Sequence, residues 1–384
     1  MPLLFLSVQS SCMLSYLYEC RVKGKCIPAH DSMEKLDIES YRRVNASFRK
    51  RMVYRIGVDC GFFVEMNYMV NAMLYCLTHR IRFQLYSEDA NFGTGIGWTE
   101  YFLPFSEEVH EKFHKKYNFH RLPSWRNILR LCRKQKSLGA IAWKAKSGMK
   151  TLTGRLASLW TYGEAVFLSQ DVSLEGVQRF CVPELGIDTD YMSAYSMVAR
   201  MVWRFTPEMI RLEDCYKAKL RLPPVYSAVQ IRGGDKITET CLIDGKTIIS
   251  RLEYGSEEAC LFILTDDYRQ YQKALEDFPN LRILTLCQQD EKGYCHQRFC
   301  NEDPSSKKDA IRRLLVSADL LLSSHSFVGS ITTGPSVFVM KVRHRDLLAQ
   351  AVDCPREELT TALRLSINER SAISTEYLSR HATR

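Results

Sequence analysis

One pattern constrains the fold of this chain more than any other. A strand, a glycine turn, an amphipathic helix and a second strand follow one another early, and the alternation restarts in the second half. Val53-Tyr54-Arg55-Ile56-Gly57-Val58 reads as a strand, Gly61 as a turn, and Val64 to Leu77 as a helix with Met66, Met69, Val70, Met73 and Leu77 on one face. Ile81–Tyr86 is the next strand. From Val225 onward, strands are expected at Tyr226–Ile231, Cys260–Leu264, Leu281–Leu286 and Leu320–Ser323, with helices near Tyr268–Asp277 and Ser306–Val316 between them. Strands that alternate with helices make parallel sheets, so the expected class is α/β with two Rossmann-like domains.

The domain reading follows the alternation. Residues 1–50 form a lead-in, 51–222 a first domain, 223–345 a second, and 346–384 a helical tail. Tyr191 to Lys219 reads as two helices broken at Thr206-Pro207, because proline suits a first helical turn. Leu222-Pro223-Pro224 is the linker.

Charge is unevenly placed. The chain carries a formal +9, yet Lys112 to Gly163 holds thirteen Lys or Arg and no Asp or Glu, so the remainder nets 9 − 13 = −4. That segment, with helical-looking stretches at Trp125–Leu138 and Ala140–Leu159, is expected to meet an anionic partner. No nucleic-acid recognition module accompanies it. Fourteen cysteines form no CxxC and have no histidine pair at zinc spacing, so a reduced, cytoplasmic set is expected and a metal site is not; in a lumenal protein the cluster Cys287, Cys295 and Cys300 could hold a disulfide. No apolar run is long enough to span a bilayer.

The strongest local signal is Gln230-Ile231-Arg232-Gly233-Gly234-Asp235-Lys236, which follows a strand. Ligands of open α/β sheets bind at the carboxyl ends of strands. Two glycines let a backbone approach phosphate closely, and Arg232 offers a planar fork to phosphate oxygens. Glu239 stands three residues past Lys236, where a carboxylate can serve as general base. On spacing alone, a solvated glycine turn with an exposed ion pair fits as well. Thr265-Asp266-Asp267 ends the next strand, either as a helix cap or as a carboxylate pair holding the preceding loop. Leu320-Leu321-Leu322-Ser323-Ser324-His325-Ser326 reads as a buried strand running into hydroxyls that face an anion at a helix start. No Ser-His-Asp or Cys-His order supports nucleophilic catalysis.

In chain order these segments resemble the α-1,6-fucosyltransferases of the core-fucosylation type, which have the GT-B fold. Four stretches carry the resemblance: Cys60-Gly61-Phe62-Phe63 with its helix; Gly97-Trp98-Thr99-Glu100-Tyr101-Phe102-Leu103-Pro104; the run from Trp203 through Thr206-Pro207 to Gln230–Lys236 and Glu239; and Thr265-Asp266-Asp267 with Ser317-Ala318-Asp319 and the serine-rich turn. The resemblance implies an inverting transferase with a nucleotide-sugar donor, GDP-fucose in the family, a glycan acceptor and no required metal. It implies that Arg232 holds the β-phosphate, that Asp235 and Lys236 shape the loop, and that Glu239 is the base, alone or in relay with Lys236; Gln230, Gly233 and Gly234 belong to the same expected donor-binding loop. Asp266 and Asp267 would support the loop, and Ser324, His325 and Ser326 would hold phosphate oxygens. Trp98 and Glu100 would lie on the acceptor side. The family's guanine-contacting acid falls at Ile311 here, with Asp309 the nearby substitute.

The chain also departs from the family: Gln230 stands for a histidine and Gly233 for a second arginine. The family's coiled stem, membrane anchor and SH3-like domain find no counterpart in these residues. A cytoplasmic enzyme of surface-glycan synthesis is therefore expected, peripheral at the inner face of a membrane, with Lys112–Gly163 against anionic head groups or a lipid-diphosphate acceptor; the same fold with a different nucleotide sugar, and a non-catalytic nucleotide-sugar or glycan-binding protein, are the alternative readings.

Overall fold

The structure is a computed structural model that describes residues 36–56, 61–116, 149, 152–154, 156–163, 174, 177–234, 243–252 and 259–381. These all fall within one compact unit, Lys35–Arg384. Helix α1 (Ile38–Ser47) starts where the Asp37 carboxylate accepts the Ser40 N–H at 2.7 Å. Strand β1 (Lys50–Arg55) and strand β2 (Ile81–Tyr86) pair in parallel across helix α2 (Phe62–Thr78). The anticipated face of α2 is buried, as are most of its other apolar residues, because the helix is covered on both sides. Strand β3 (Glu107–Glu108) completes the order β1-β2-β3 and leads to the short helix α3 (Lys112–Lys116). Residues 152–154 and 156–162 are helical. Most of the other basic-segment residues lie outside the described set, as do Gly57 and Val58 of the expected first strand and Cys60 of the first resemblance stretch.

A hairpin of β4 (Arg179–Val182) and β5 (Ile187–Asp190) turns at Gly186, whose φ of 66° suits glycine. Helix α4 (Tyr191–Val202) and helix α5 (Pro207–Leu220) follow, separated as the sequence indicates. Thr206 Oγ1 caps α5 by accepting the Met209 N–H at 3.3 Å, and Pro207 opens the helix.

The second half builds a five-stranded parallel sheet. Its elements are β6 (Ser227–Ile231), α6 (Gly245–Ile249), β7 (Cys260–Thr265), α7 (Tyr268–Asp277), β8 (Arg282–Thr285), α8 (His296–Asn301), α9 (Pro304–Ser323), β9 (Ser326–Gly329), α10 (Gly334–Val342) and β10 (Ala349–Ala351). Helices α11 (Arg356–Ala362) and α12 (Ile367–His381) end the chain. Strand order is β10-β9-β6-β7-β8, so the chain runs outward from β6 in one direction and then crosses to its other side. The switch point lies between β6 and β9.

Two sequence expectations change. Leu320–Ser323 is the last turn of α9, not a strand; the strand begins at Ser326. A short run of buried leucines has no period of its own, and here Ala318, Leu320 and Leu321 continue the buried side of a 20-residue helix. The tail is not wholly helical, because β10 adds to the second sheet.

Helices α2, α4 and α10 pack together and carry one apolar core from the first sheet to the second. Phe63 and Phe338 rings lie 5.4 Å apart, and Trp203 and Phe338 4.8 Å, with Phe62, Phe102 and Phe205 around them. Such pairs contribute about 0.5–1.5 kcal/mol each beyond area burial.

Candidate functional site

All five β6 residues are buried, and the chain leaves the sheet at Arg232. The next two residues cross the Gly293-Tyr294 backbone at close range. Gly234 has φ 69° and Gly293 has φ 98°. A Cβ on Gly293 would lie 2.5 Å from Gly234 Cα, and one on Gly233 would lie 2.8 Å from Asp267 Cβ. Side chains cannot occupy these places without displacing backbone.

Asp266 clasps the crossing. Its Oδ1 accepts the Gly233 N–H at 2.7 Å, its Oδ2 accepts the Tyr294 N–H at 2.9 Å, and its carbonyl accepts the Gly293 N–H at 2.8 Å. Oδ2 also pairs with Arg232 Nη1 at 2.7 Å, and the Arg232 guanidinium lies 5.2 Å from the Tyr294 ring centre. Asp267 caps α7 by accepting the Arg269 N–H at 3.1 Å and pairs with Arg269 Nη2 at 2.6 Å. The hydrogen bond from the Arg269 side chain is the main cause that holds the Asp267 carboxyl below its ordinary range. The two readings of this carboxylate pair are thus divided between its members: Asp266 holds the preceding loop, and Asp267 caps the helix.

Beside the crossing opens a cleft of about 760 Å³, lined by Gly233, Gly234, Asp267, Arg269, Gln270, Lys273, Lys292, Gly293, Tyr294, Cys295 and Arg298. Among the described residues, four cations and one carboxylate line it, at the carboxyl ends of β6 and β7. A polyanion with a planar or apolar end fits such walls. Lys273 pairs with Asp244 at 2.6 Å, while Arg298 donates to the Gly293 carbonyl at 3.1 Å.

Gln230 faces the switch point from inside. It is buried, and its Oε1 accepts Ser336 Oγ at 2.8 Å and also Thr333 Oγ1. The hydroxyl-rich turn that the sequence suggested exists one strand-length later, as Ser330, Thr332 and Thr333 before α10. Ser330 Oγ and the Ile331 N–H both bond to Asp353, at 2.6 and 2.9 Å, and Ser374 of α12 donates to the same carboxylate at 2.7 Å. Burial raises the Asp353 carboxyl above its ordinary value.

Ser324, His325 and Ser326 stand at the opposite, amino end of the strands. Ser326 pairs in register with Ser227, the first residue of β6, and their hydroxyls lie 2.9 Å apart. Arg232 is five residues farther along, about 16 Å at strand rise. Ser324 accepts Arg343 Nη1 at 2.9 Å, and the His325 N–H donates to Tyr226 O at 2.8 Å. The structure therefore does not bring these three to Arg232; the displaced strand start is the cause.

Asp309 is exposed on α9, 4.0 Å from Arg312, and Ile311 is buried in the core. Ser317-Ala318-Asp319 is helical, with Asp319 Oδ1 accepting Trp203 Nε1 at 2.8 Å. Trp98 and Glu100 are buried rather than set toward an acceptor. Trp98 stacks on Phe102 at 4.4 Å, and Glu100 accepts the Thr94 N–H at 2.8 Å and Lys308 Nζ at 3.1 Å. Asp235, Lys236 and Glu239 lie outside the described residues.

A second polar cluster, which the sequence reading missed, sits at the carboxyl end of β1. Arg55 Nε donates to His114 Nδ1 at 3.1 Å, so the imidazole keeps its proton on Nε2, 2.7 Å from Tyr162 Oη. Tyr162 Oη donates to Glu111 Oε2 at 2.6 Å. Burial, then the Arg55 charge, pushes His114 down to about 3. No spacing rule links positions 55, 114 and 162, just as none links 234 and 293.

No protein-family model matches the chain, and no curated protein does. Among solved structures it is similar to a NodZ α-1,6-fucosyltransferase soaked with GDP-fucose, with 12% identity, a TM-score of 0.45, and coverage of 77% of this chain and 93% of that one. A mutant of Arabidopsis thaliana FUT1 in complex with GDP is 8% identical, with a TM-score of 0.44 and coverage of 79% and 71%. POFUT1 in complex with GDP is 10% identical, with a TM-score of 0.40 and coverage of 79% and 97%.

Proposed function

We propose that the chain is an inverting glycosyltransferase that passes fucose from GDP-fucose to a hydroxyl of a glycan acceptor, lipid-linked and met from the cytoplasmic face of a membrane. The observation that carries the reading is the glycine crossing clasped by Asp266, which opens on a cationic cleft at the carboxyl ends of β6 and β7. When an acceptor oxygen displaces a sugar from a nucleoside diphosphate, negative charge grows on the leaving phosphate. Fixed cations and backbone N–H groups stabilise that charge more than the ground state. Lysine and arginine side chains supply this positive charge, so metal independence belongs to the same reading. Glu239 is assigned the base and Lys236 its partner, on the motif alone.

The choice of GDP-fucose rests on the order of motifs around Arg232, Asp266 and Ser317-Ala318-Asp319. A different nucleotide sugar is the second reading, favoured by Gln230. Its Oε1 is held inside by Thr333 and Ser336, where the resembled family has a histidine. One assay separates the two: nucleotide release from GDP-fucose, GDP-mannose and UDP-sugars, with calorimetry for GDP binding. GDP-fucose is expected to give release and GDP to bind. Neither event with any guanine nucleotide overturns the first reading, and release from a UDP-sugar alone establishes the second. Arg232→Ala is expected to abolish turnover while the near-ultraviolet circular dichroism is retained. Substantial remaining turnover removes Arg232 from its role.

A further inference from the structure

Among the described residues, five of the ten large apolar side chains that stand exposed lie within twelve positions: Met149, Leu152, Leu156, Leu159 and Trp160. Trp160 is 92% exposed. Their successive gaps of three, four, three and one keep them, on a helix, within an arc of about 100°. The other side is the reverse of a normal surface helix. Gly154 and Ser158 are buried, and Tyr162 latches the end through Glu111 and His114, with the Arg51 guanidinium 5.0 Å from its ring centre. A helix on a water-facing surface buries its large apolar residues; this one turns them outward.

We infer that this face lies in the plane of an anionic bilayer, with Leu152, Leu156, Leu159 and Trp160 at the acyl boundary. Charge decides the occupant. The segment Lys112–Gly163 has thirteen Lys or Arg and no acid, so a second copy of the same face would be repelled, whereas anionic lipid is attracted. Tryptophan suits the head-group boundary, having an apolar ring and one N–H. No described helix is long and apolar enough to cross a membrane, which leaves the in-plane position. The surface is independent of the donor cleft, and its test reads neither turnover nor nucleotide binding.

The experiment uses the full chain with vesicles of phosphatidylcholine alone and with roughly one third phosphatidylglycerol, followed by sedimentation and tryptophan fluorescence. Binding to the anionic vesicles only is expected, weakened by salt, with a blue shift that Trp160→Phe removes. The double variant Leu156→Gln with Leu159→Gln should bind about tenfold more weakly, because apolar insertion supplies part of the affinity. Both leucines are exposed, so its circular dichroism should be unchanged; if the fold is lost, the wild-type Trp160 signal still decides. Absence of binding, equal binding to neutral vesicles, or full binding by a folded double variant overturns the inference. So does a Trp160 shielded from acrylamide before lipid is added, or a dimer that the double variant dissolves.

Discussion

Replacing Asp266 by asparagine tests the candidate donor site most directly. One carboxylate holds three groups there: the Gly233 N–H at 2.7 Å, the Tyr294 N–H at 2.9 Å and Arg232 Nη1 at 2.7 Å. The Arg232 and Asp266 side chains are 21% and 20% exposed, so the pair is neither a screened surface bridge nor a fully desolvated one. The amide keeps one acceptor, which suits Gly233. Its NH₂ then faces the Tyr294 N–H and the guanidinium, three donors with no acceptor between them. Loss of one charge-assisted bond costs about 1.5–3 kcal/mol, and the facing donors put the total near the top of that range. If nucleotide binding needs the crossing closed, about 3 kcal/mol weakens GDP binding by roughly 100-fold. The melting temperature should move little, because β6 and β7 are fixed by the apolar cluster of Val229, Ile231, Leu261 and Ile263. Asp267→Asn is the control: asparagine still caps α7, and the lost partner Arg269 is 69% exposed, so a change within about 0.5 kcal/mol is expected. Calorimetry with GDP and a thermal melt decide the matter. An Asp266→Asn protein that binds GDP within about threefold of wild type refutes the clasp as the organiser of the site. So does an equal loss in the Asp267→Asn control.

Two further outcomes follow from the same geometry. Gly293→Ala should destabilise the crossing by about 1–3 kcal/mol, since φ is 98° and the new methyl meets Gly234 Cα at 2.5 Å; a GDP titration reads it. His114 makes stability depend on acid pH. Its folded value of about 3 lies below the ordinary 6.5, so only the unfolded chain binds its proton between those limits. Its contribution is whole above pH 6.5 and falls as pH drops toward 3, by at most about 1.4 kcal/mol per unit. Urea unfolding across that window should show the slope in wild type and a smaller one in His114→Gln.

The parts legible in the sequence are those with a local cause. The Met66 to Leu77 face of α2, the Thr206-Pro207 break and the bounds of α7 each follow from periodicity or capping, and each is found. What was illegible depends on register or on contact across distance. The leucines at 320–322 fit a strand or a helix equally well, and that one ambiguity moved the hydroxyl turn from Ser330–Thr333 to Ser324–Ser326, at the opposite end of the strands. Gly293 could not be tied to Gly234 because close approach leaves no trace in spacing. Trp98 and Glu100, which the resemblance puts on the acceptor side, stand in a loop that folds inward, where Thr94 and Lys308 satisfy the carboxylate.

The charges in the cleft point to a division of labour that the motif alone does not suggest. Arg232 is committed to Asp266, Arg269 to Asp267 and Lys273 to Asp244. Among the described residues that line the cleft, this leaves Lys292 and Arg298 as cations without a carboxylate partner. A diphosphate entering the cleft would gain most from these two, because drawing on any other cation means competing with an existing ion pair. Arg232 then acts chiefly by holding the crossing closed, and Lys292 and Arg298 carry the electrostatic attraction. The two roles differ in their dependence on salt. Lys292→Ala and Arg298→Ala should each weaken GDP binding by about 1–2 kcal/mol and flatten its fall with added salt, since a released charge no longer contributes. Arg232→Ala should weaken binding while leaving the salt slope nearer to that of wild type, because its loss is one of loop geometry. Calorimetric titrations at low and high salt distinguish the three variants. If Arg232→Ala flattens the slope and the other two leave it unchanged, the anion sits on Arg232 itself and the assignment of Lys292 and Arg298 is wrong.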